Sequence, residues 1–129
     1  QGETMTGVFG ASFANAQEGV AIGGHWEHPD DNVGNLIASS DGGKTWTPIS
    51  DGAGPGYRSC IQHHPKRSQE IVAMGFKGMD ISLDGGQTWK HVNDTSAYVA
   101  RFAPEGRILW LAGKDRIHRV DWDYLTSEL

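Results

Sequence analysis

The stretch SSDGGKTW, Ser39 to Trp46, is written again as SLDGGQTW, Ser82 to Trp89, 43 residues further along the chain. This recurrence of S-x-D-G-G-x-T-W constrains the fold more than any other feature, because self-similarity at about 40–45 residues is the mark of stacked or ring-forming repeats. Three short β-branched or aromatic segments precede the first copy: GVFGASF (Gly7 to Phe13), EGVAIGG (Glu18 to Gly24) and NLIASS (Asn35 to Ser40). Three more precede the second: YRSCIQH (Tyr57 to His63), QEIVAMG (Gln69 to Gly75) and MDISL (Met79 to Leu83). Each is bounded by Gly, Pro, Asn or Asp, as strands are. WTPIS and WKHVN continue each unit past its Trp, which makes four strands per unit. A third unit follows in YVARFAP, RILWLAG and RIHRVDW, without the Gly-Gly turn and with the chain ending where a fourth strand would begin. Only the tail DYLTSEL has room for a helical turn or two.

Inside the octapeptide the chemistry is that of a hairpin. Glycine takes a positive φ without steric cost, and an Asp carboxylate accepts bonds from backbone N–H groups of its own turn. Ser39 and Ser82 stand ready to bond that turn from the preceding strand. Trp46 and Trp89 are expected to fill gaps between neighbouring sheets. One carboxylate per turn, Asp41 or Asp84, is too few oxygens for Ca²⁺.

At these residues the chain resembles the Asp-box, or BNR-repeat, β-propellers of the sialidase-like superfamily. The succession of VGN, DGGKTW, PGYRS and DISLDGGQTW is further similar to the C-terminal portion of bacterial proteins of the photosystem II assembly/stability factor family. The resemblance implies an all-β fold of four-stranded blades, about three of them in residues 1–129: blade 1 near 7–50, blade 2 near 57–93 and an incomplete blade 3 near 97–123. It assigns a scaffold role alone to Ser39, Asp41, Gly43, Thr45 and Trp46 and to Ser82, Asp84, Gly86, Thr88 and Trp89. Proteins of this kind are mostly exported, so a periplasmic or secreted location is the expectation.

Strand parity then sorts the loops. Asp-box turns share one end with the turns near Asn15 to Gln17, His64 to Ser68 and Pro104 to Gly106. The opposite end collects the long loop His25 to Gly34, the connection Asp51 to Gly56, Lys77 with Gly78, and Lys114 with Asp115. Binding residues concentrate on loops held by a rigid scaffold, so His25, Trp26, His28, Asp30, Asp31 and Arg58 form the candidate binding face. Arg58 either supplies a positive group there or forms a salt bridge to a neighbouring blade. His25 and His28 fall at the opposite end from His63 and His64, so the two pairs cannot share one metal ion, and neither metal nor cofactor is expected.

A charge of −5 without a basic stripe argues against nucleic acid. No apolar run approaches the ~20 residues of a membrane span. Cys60, the only cysteine, reads as a buried, inert thiol. Asn93-Asp94-Thr95 fits a glycosylation acceptor and is read as a turn. The chain begins at Gln1 rather than Met, so targeting information is expected to lie outside it.

Sialidases that share the Asp-box use an arginine cluster, a Tyr paired with a Glu, and an Asp acid/base. No such set emerges from Arg58, Arg67, Arg101, Arg107, Arg116 and Arg119, nor do Asp30, Asp31 and Asp115 declare a glycosidase carboxylate pair. No catalytic residue is assigned. The expected function is a non-catalytic scaffold segment for an unknown protein or carbohydrate ligand. The alternative is the C-terminal half of a glycan-active enzyme, a glycoside hydrolase whose catalytic groups lie outside this chain. Three blades cannot close a ring, so either further blades or self-association is expected.

Overall fold

The computed structural model describes residues 6–25, 27–50 and 52–129. Among them, eleven strands form three antiparallel sheets in chain order. The first sheet contains β1 (Thr6–Phe13), β2 (Gly19–His25), β3 (Leu36–Ser39) and β4 (Thr47–Pro48). The second contains β5 (Cys60–His63), β6 (Ile71–Gly75), β7 (Gly78–Ser82) and β8 (Lys90–Asn93), and the third β9 (Val99–Phe102), β10 (Ile108–Ala112) and β11 (Ile117–Asp121). Every strand pairs with its predecessor within its sheet, so each sheet is a meander. Strand β1 touches β5, and β5 touches β9. The first strand of each sheet is therefore innermost, and the sheets fan outward as blades of a partial β-propeller.

Alternation along the strands builds two separate cores. In the second sheet, Ile61 pairs with Ala73, and His63 with Ile71, on one face; Cys60 pairs with Met74, and Val72 with Ile81, on the other. The first set meets Val20, Ile22 and Leu36 of the first sheet. The second set meets Ala100, Leu109 and Leu111 of the third. Being covered on both sides, β6 is buried throughout, which explains its continuous apolar run IVAMG. Each fully buried Ile or Leu side chain in these layers contributes roughly 1.5–3 kcal/mol. Cys60 lies buried in the second layer with its sulfur against the backbone of Ala100.

The two outer faces are open. On the first sheet, Ala11 pairs with Ala21 and Ala21 with Ile37 on the face turned away from the second sheet. Phe13 lies across Gly19, where a Cβ would come within 2.6 Å of the ring. On the third sheet, Val99, Trp110 and Ile117 remain exposed, Ile117 by 75%.

After β11 the chain does not form a fourth strand. Asp121 caps the short helix α1 (Trp122–Ser127), its carboxylate accepting from the Tyr124 amide at 3.1 Å. Trp122 is completely buried. Its indole N–H donates to Glu70 Oε1 at 2.6 Å, and its ring meets Phe102 edge-on at 4.8 Å. Leu125 and Leu129 pack onto the same layer, so the tail plugs the interface between the second and third sheets.

Candidate functional site

Both octapeptides form the same hydrogen-bonded turn. In the first, the Ser39 hydroxyl donates to Asp41 Oδ1 at 2.8 Å and accepts from the Gly43 amide at 2.9 Å. Asp41 accepts from the Thr45 amide at 2.9 Å and from the Thr45 hydroxyl at 2.6 Å, one oxygen each. The Trp46 indole donates to the Gly43 carbonyl at 3.0 Å. In the second, Ser82, Asp84, Gly86, Thr88 and Trp89 repeat every one of these bonds. Gly43 at φ 90° and Gly86 at φ 97° occupy the left-handed region, which explains the glycine at the fifth octapeptide position.

These bonds also fix the carboxylates electrically. Hydrogen bonds from the Thr45 hydroxyl, the Thr45 amide and Ser39 lower the Asp41 carboxyl from 3.8 to about 2. For Asp84, burial is the largest single influence and pushes upward, but the bonds from Thr88 and Ser82 together outweigh it and the net shift is downward. A carboxylate held ionised with both oxygens engaged inside its own turn has no proton to give at neutral pH. A cleft of about 320 Å³ between the first two sheets reaches Asp84, Glu18 and His63 at this end. Asp84 is consumed by the turn, and His63 by Ser12, whose hydroxyl lies 2.8 Å from His63 Nδ1. Burial pushes His63 below its usual range.

Loops gather at two ends. At the octapeptide end, the Gly42 amide bonds the Gln17 carbonyl and the Gly85 amide bonds the Gln69 carbonyl, both at 2.9 Å. There too the buried His64 accepts at Nδ1 from the amides of Lys66 and Arg67, leaving Nε2 to donate to the Gly106 carbonyl at 2.9 Å. At the other end the long loop is stitched to the connection after the first sheet. Tyr57 N bonds Pro29 O at 2.9 Å, Gly52 N bonds Asn32 O at 3.0 Å, and Asn32 Nδ2 bonds Gly54 O at 2.9 Å.

Of the residues expected on this second face, His25 and His28 meet with ring centroids 4.6 Å apart and planes tilted by 60°. The Glu27 amide lies 3.2 Å from His25 Nδ1. Asp30 and Asp31 are exposed, Asp30 facing Lys77 at 3.9 Å. Trp26 lies outside the described residues. Among the described residues, no group of three His, Cys, Asp or Glu side chains is placed to hold a metal ion. Arg58 differs from its expected placement: it is buried, and its guanidinium meets Asp80 at 2.7 Å. Its partner belongs to its own sheet rather than a neighbouring blade, and the charge is spent inside the fold. A buried guanidinium without a counter-charge is too costly for it to be otherwise.

The loop-rich end carries a feature that the loop sequence does not announce. Tyr57, just ahead of β5, meets Phe9 of β1 edge-on at 5.3 Å and Phe76, just after β6, at 5.4 Å. Phe9 and Phe76 remain 46% and 41% exposed. Burial pushes the Tyr57 phenol upward, so it stays a neutral hydroxyl. Phe9 from within β1 and two residues flanking strands of the second sheet thus make one aromatic patch beside Lys77, near the innermost strands. The only sequence signal was an aromatic residue in the loop-side half of β1 and two more flanking β5 and β6.

The octapeptide tryptophans diverge. Trp89 packs into the layer between the first two sheets, beside Ile49. Trp46 sits on the open outer face, edge-on to Phe13 at 5.9 Å.

No family model and no curated protein matches this sequence. Among solved structures the fold is similar to that of YCF48 bound to D1 peptide, with a TM-score of 0.68 and 20% identity over 92% of this chain and 38% of that one. It is similar to the GH74 enzyme of Niastella koreensis, with a TM-score of 0.64 and 18% identity over 86% of this chain and 19% of that one. The Neurospora crassa Pan2 WD40 domain matches at a TM-score of 0.55 and 11% identity, over 87% of this chain and 36% of that one. The chain spans well under half the length of these structures, and at such identities the likeness is one of fold.

Proposed function

We propose that the chain is a non-catalytic β-propeller segment that binds a protein ligand, an extended peptide, on its loop-rich face. The observation that carries this reading is the exposed aromatic patch of Phe9, Tyr57 and Phe76, since contiguous exposed aromatic surface at the rim of a rigid scaffold is typical of binding sites. Two further points support it. The octapeptide carboxylates are tied into their turns, as an Asp-box scaffold role requires. The fold is like that of YCF48, which has been solved with a D1 peptide bound. On this reading Asp30, Asp31, His25 and His28 form the polar rim, with Trp26 on the same loop.

Ring closure belongs to the proposal. The open apolar faces of the first and third sheets call for further blades or a second copy of the chain. The expected setting is periplasmic or extracellular, by analogy with exported Asp-box proteins.

The test is selection of peptides from a displayed library against the chain and against a Phe9→Ser/Phe76→Ser variant. Peptides retained by the parent and by Asp41→Asn, but lost with the aromatic variant, are the expected result. Retention by the aromatic variant overturns the reading. So does glycoside hydrolysis abolished by a carboxylate substitution, which would favour the alternative of a glycan-active enzyme.

A further inference from the structure

His91, on the outer strand β8, lies between two carboxylates. Its Nδ1 is 3.1 Å from Asp80 Oδ1, and its Nε2 is 2.6 Å from Asp94 Oδ1. Ionised carboxylates only accept hydrogen bonds, so both ring nitrogens must carry hydrogen, and the ring in this arrangement is an imidazolium. The charged groups around it come from every neighbouring element. Asp80 of β7 is buried and shared with the Arg58 guanidinium, at 2.7 Å. Asp94 belongs to the connection after β8 and its side chain is 93% exposed. The β6–β7 turn brings Lys77, whose ammonium lies 3.9 Å from Asp30.

We propose that His91 is a proton-operated latch: protonated, it pins the 93–97 connection to the second sheet through Asp94, and neutral, it releases that connection. The asymmetry of its two partners sets which bond breaks. A neutral imidazole has one N–H. Kept on Nε2, it would leave the Nδ1 lone pair 3.1 Å from a buried carboxylate oxygen. Kept on Nδ1, it preserves the buried bond and hands Asp94 to water, where an exposed carboxylate is well solvated. Asp94 is therefore the partner given up.

The connection is anchored at its far end by Ala97, fully buried in the core, and between that anchor and β8 it makes few other bonds. The Thr95 amide bonds its neighbour Asn93 at 3.0 Å, and the Ala97 amide reaches Gly75 at 3.3 Å. Thr95 and Ser96 form one wall of a polar cleft of about 390 Å³ whose other lining includes Tyr98, Lys114, Arg116 and His118, at the loop-rich end. Release of Asp94 thus changes one wall of a cleft on the face proposed for binding, although the latch itself does not depend on that proposal. The bonds to Asp94 and then Asp80 also raise the ring above its usual value of 6.5, which favours the pinned state at neutral pH and below.

The experiment follows the His91 ring nitrogens by NMR across pH 5 to 9, together with amide exchange at residues 94–97, in the parent chain and in Asp94→Asn. The expected result is an imidazolium titrating above 6.5, a lower midpoint in Asp94→Asn, and protection at 94–97, taken relative to the intrinsic exchange rate at each pH, that falls about tenfold above the parent's midpoint as local opening becomes cheaper. Retention of the Nδ1 proton in the neutral form is expected in both proteins. A ring already neutral at pH 6, an unchanged midpoint in Asp94→Asn, or protection at 94–97 indifferent to the titration would each overturn the latch. His91→Gln, which cannot titrate, should show one degree of protection at 94–97 across the range once the intrinsic rise of amide exchange with pH is divided out; a persisting step in protection would assign the effect elsewhere.

Discussion

The turns at 39–46 and 82–89 share every internal hydrogen bond, yet they do different work in the molecule. The second is built into a seam: Trp89 fills the layer beside Ile49, and the Ser50 hydroxyl, at the end of the first sheet, donates to the carbonyls of Gly86 and Gln87. Among the described residues, the first has no sheet packed beyond it. Its Trp46 meets the ring of Phe13 of its own sheet, which has folded across Gly19. An octapeptide fixes a turn by local chemistry, whereas the worth of that turn to the fold depends on what stands next to it. The third blade has no octapeptide at all, and Trp122 of α1 closes its seam instead.

Breaking the seams should give the largest effects. Trp122→Ala removes a fully buried indole and leaves Glu70 Oε1 without its donor, so urea unfolding should show a loss of about 3–5 kcal/mol. Unchanged stability would mean that the tail does not hold the second interface. Next come the serines. Ser39→Ala and Ser82→Ala each leave a turn amide without its acceptor, costing about 1–2 kcal/mol. Ser82→Ala should cost more, because Gly86 is buried and Gly43 is not. Equal values would indicate that the second turn is as open to water as the first.

Smaller effects come from acid. Both aspartates titrate below their unfolded value of 3.8, so the stability they contribute is complete above about pH 4 and fades as pH falls through the folded values, about 2 for Asp41. Thr45→Val removes the largest cause of the Asp41 shift and should raise that carboxyl's midpoint in an NMR titration; no change would disprove the hydroxyl's role. His63 and His91 act in opposite directions. Lowered by burial, His63 contributes stability present above 6.5 and lost as pH falls through its folded value. Raised by Asp94 and Asp80, His91 contributes stability present below 6.5 and lost as pH rises through its folded value. Replacing either ring by Gln should flatten only its own side of the stability profile.

Strand positions were legible because each is bounded by turn residues and carries its own apolar pattern; Gln69 to Gly75, for instance, became β6 (Ile71–Gly75). The turn bonds were legible because they are local. Long-range partners were not. Nothing near Arg58 in the sequence indicates that Asp80, 22 residues away, would bury its charge. Nor does spacing reveal that Phe9, Tyr57 and Phe76, from three separate segments, would share one patch. Trp122 read as the end of a strand pattern, RIHRVDW, but Asp121 before it caps a helix, and burial of the indole beside Phe102 and His64 outweighs strand propensity.

The contrast between the two turns is tested most directly by hydrogen exchange at their indoles, because Trp46 and Trp89 each donate one N–H to a glycine carbonyl, at 3.0 and 2.9 Å. Measured by NMR on the chain at concentrations where it is monomeric, the Trp89 indole should exchange at least about a hundredfold more slowly, since its opening requires the seam to part whereas that of Trp46 needs only local motion. Equal rates at the two indoles would contradict the account.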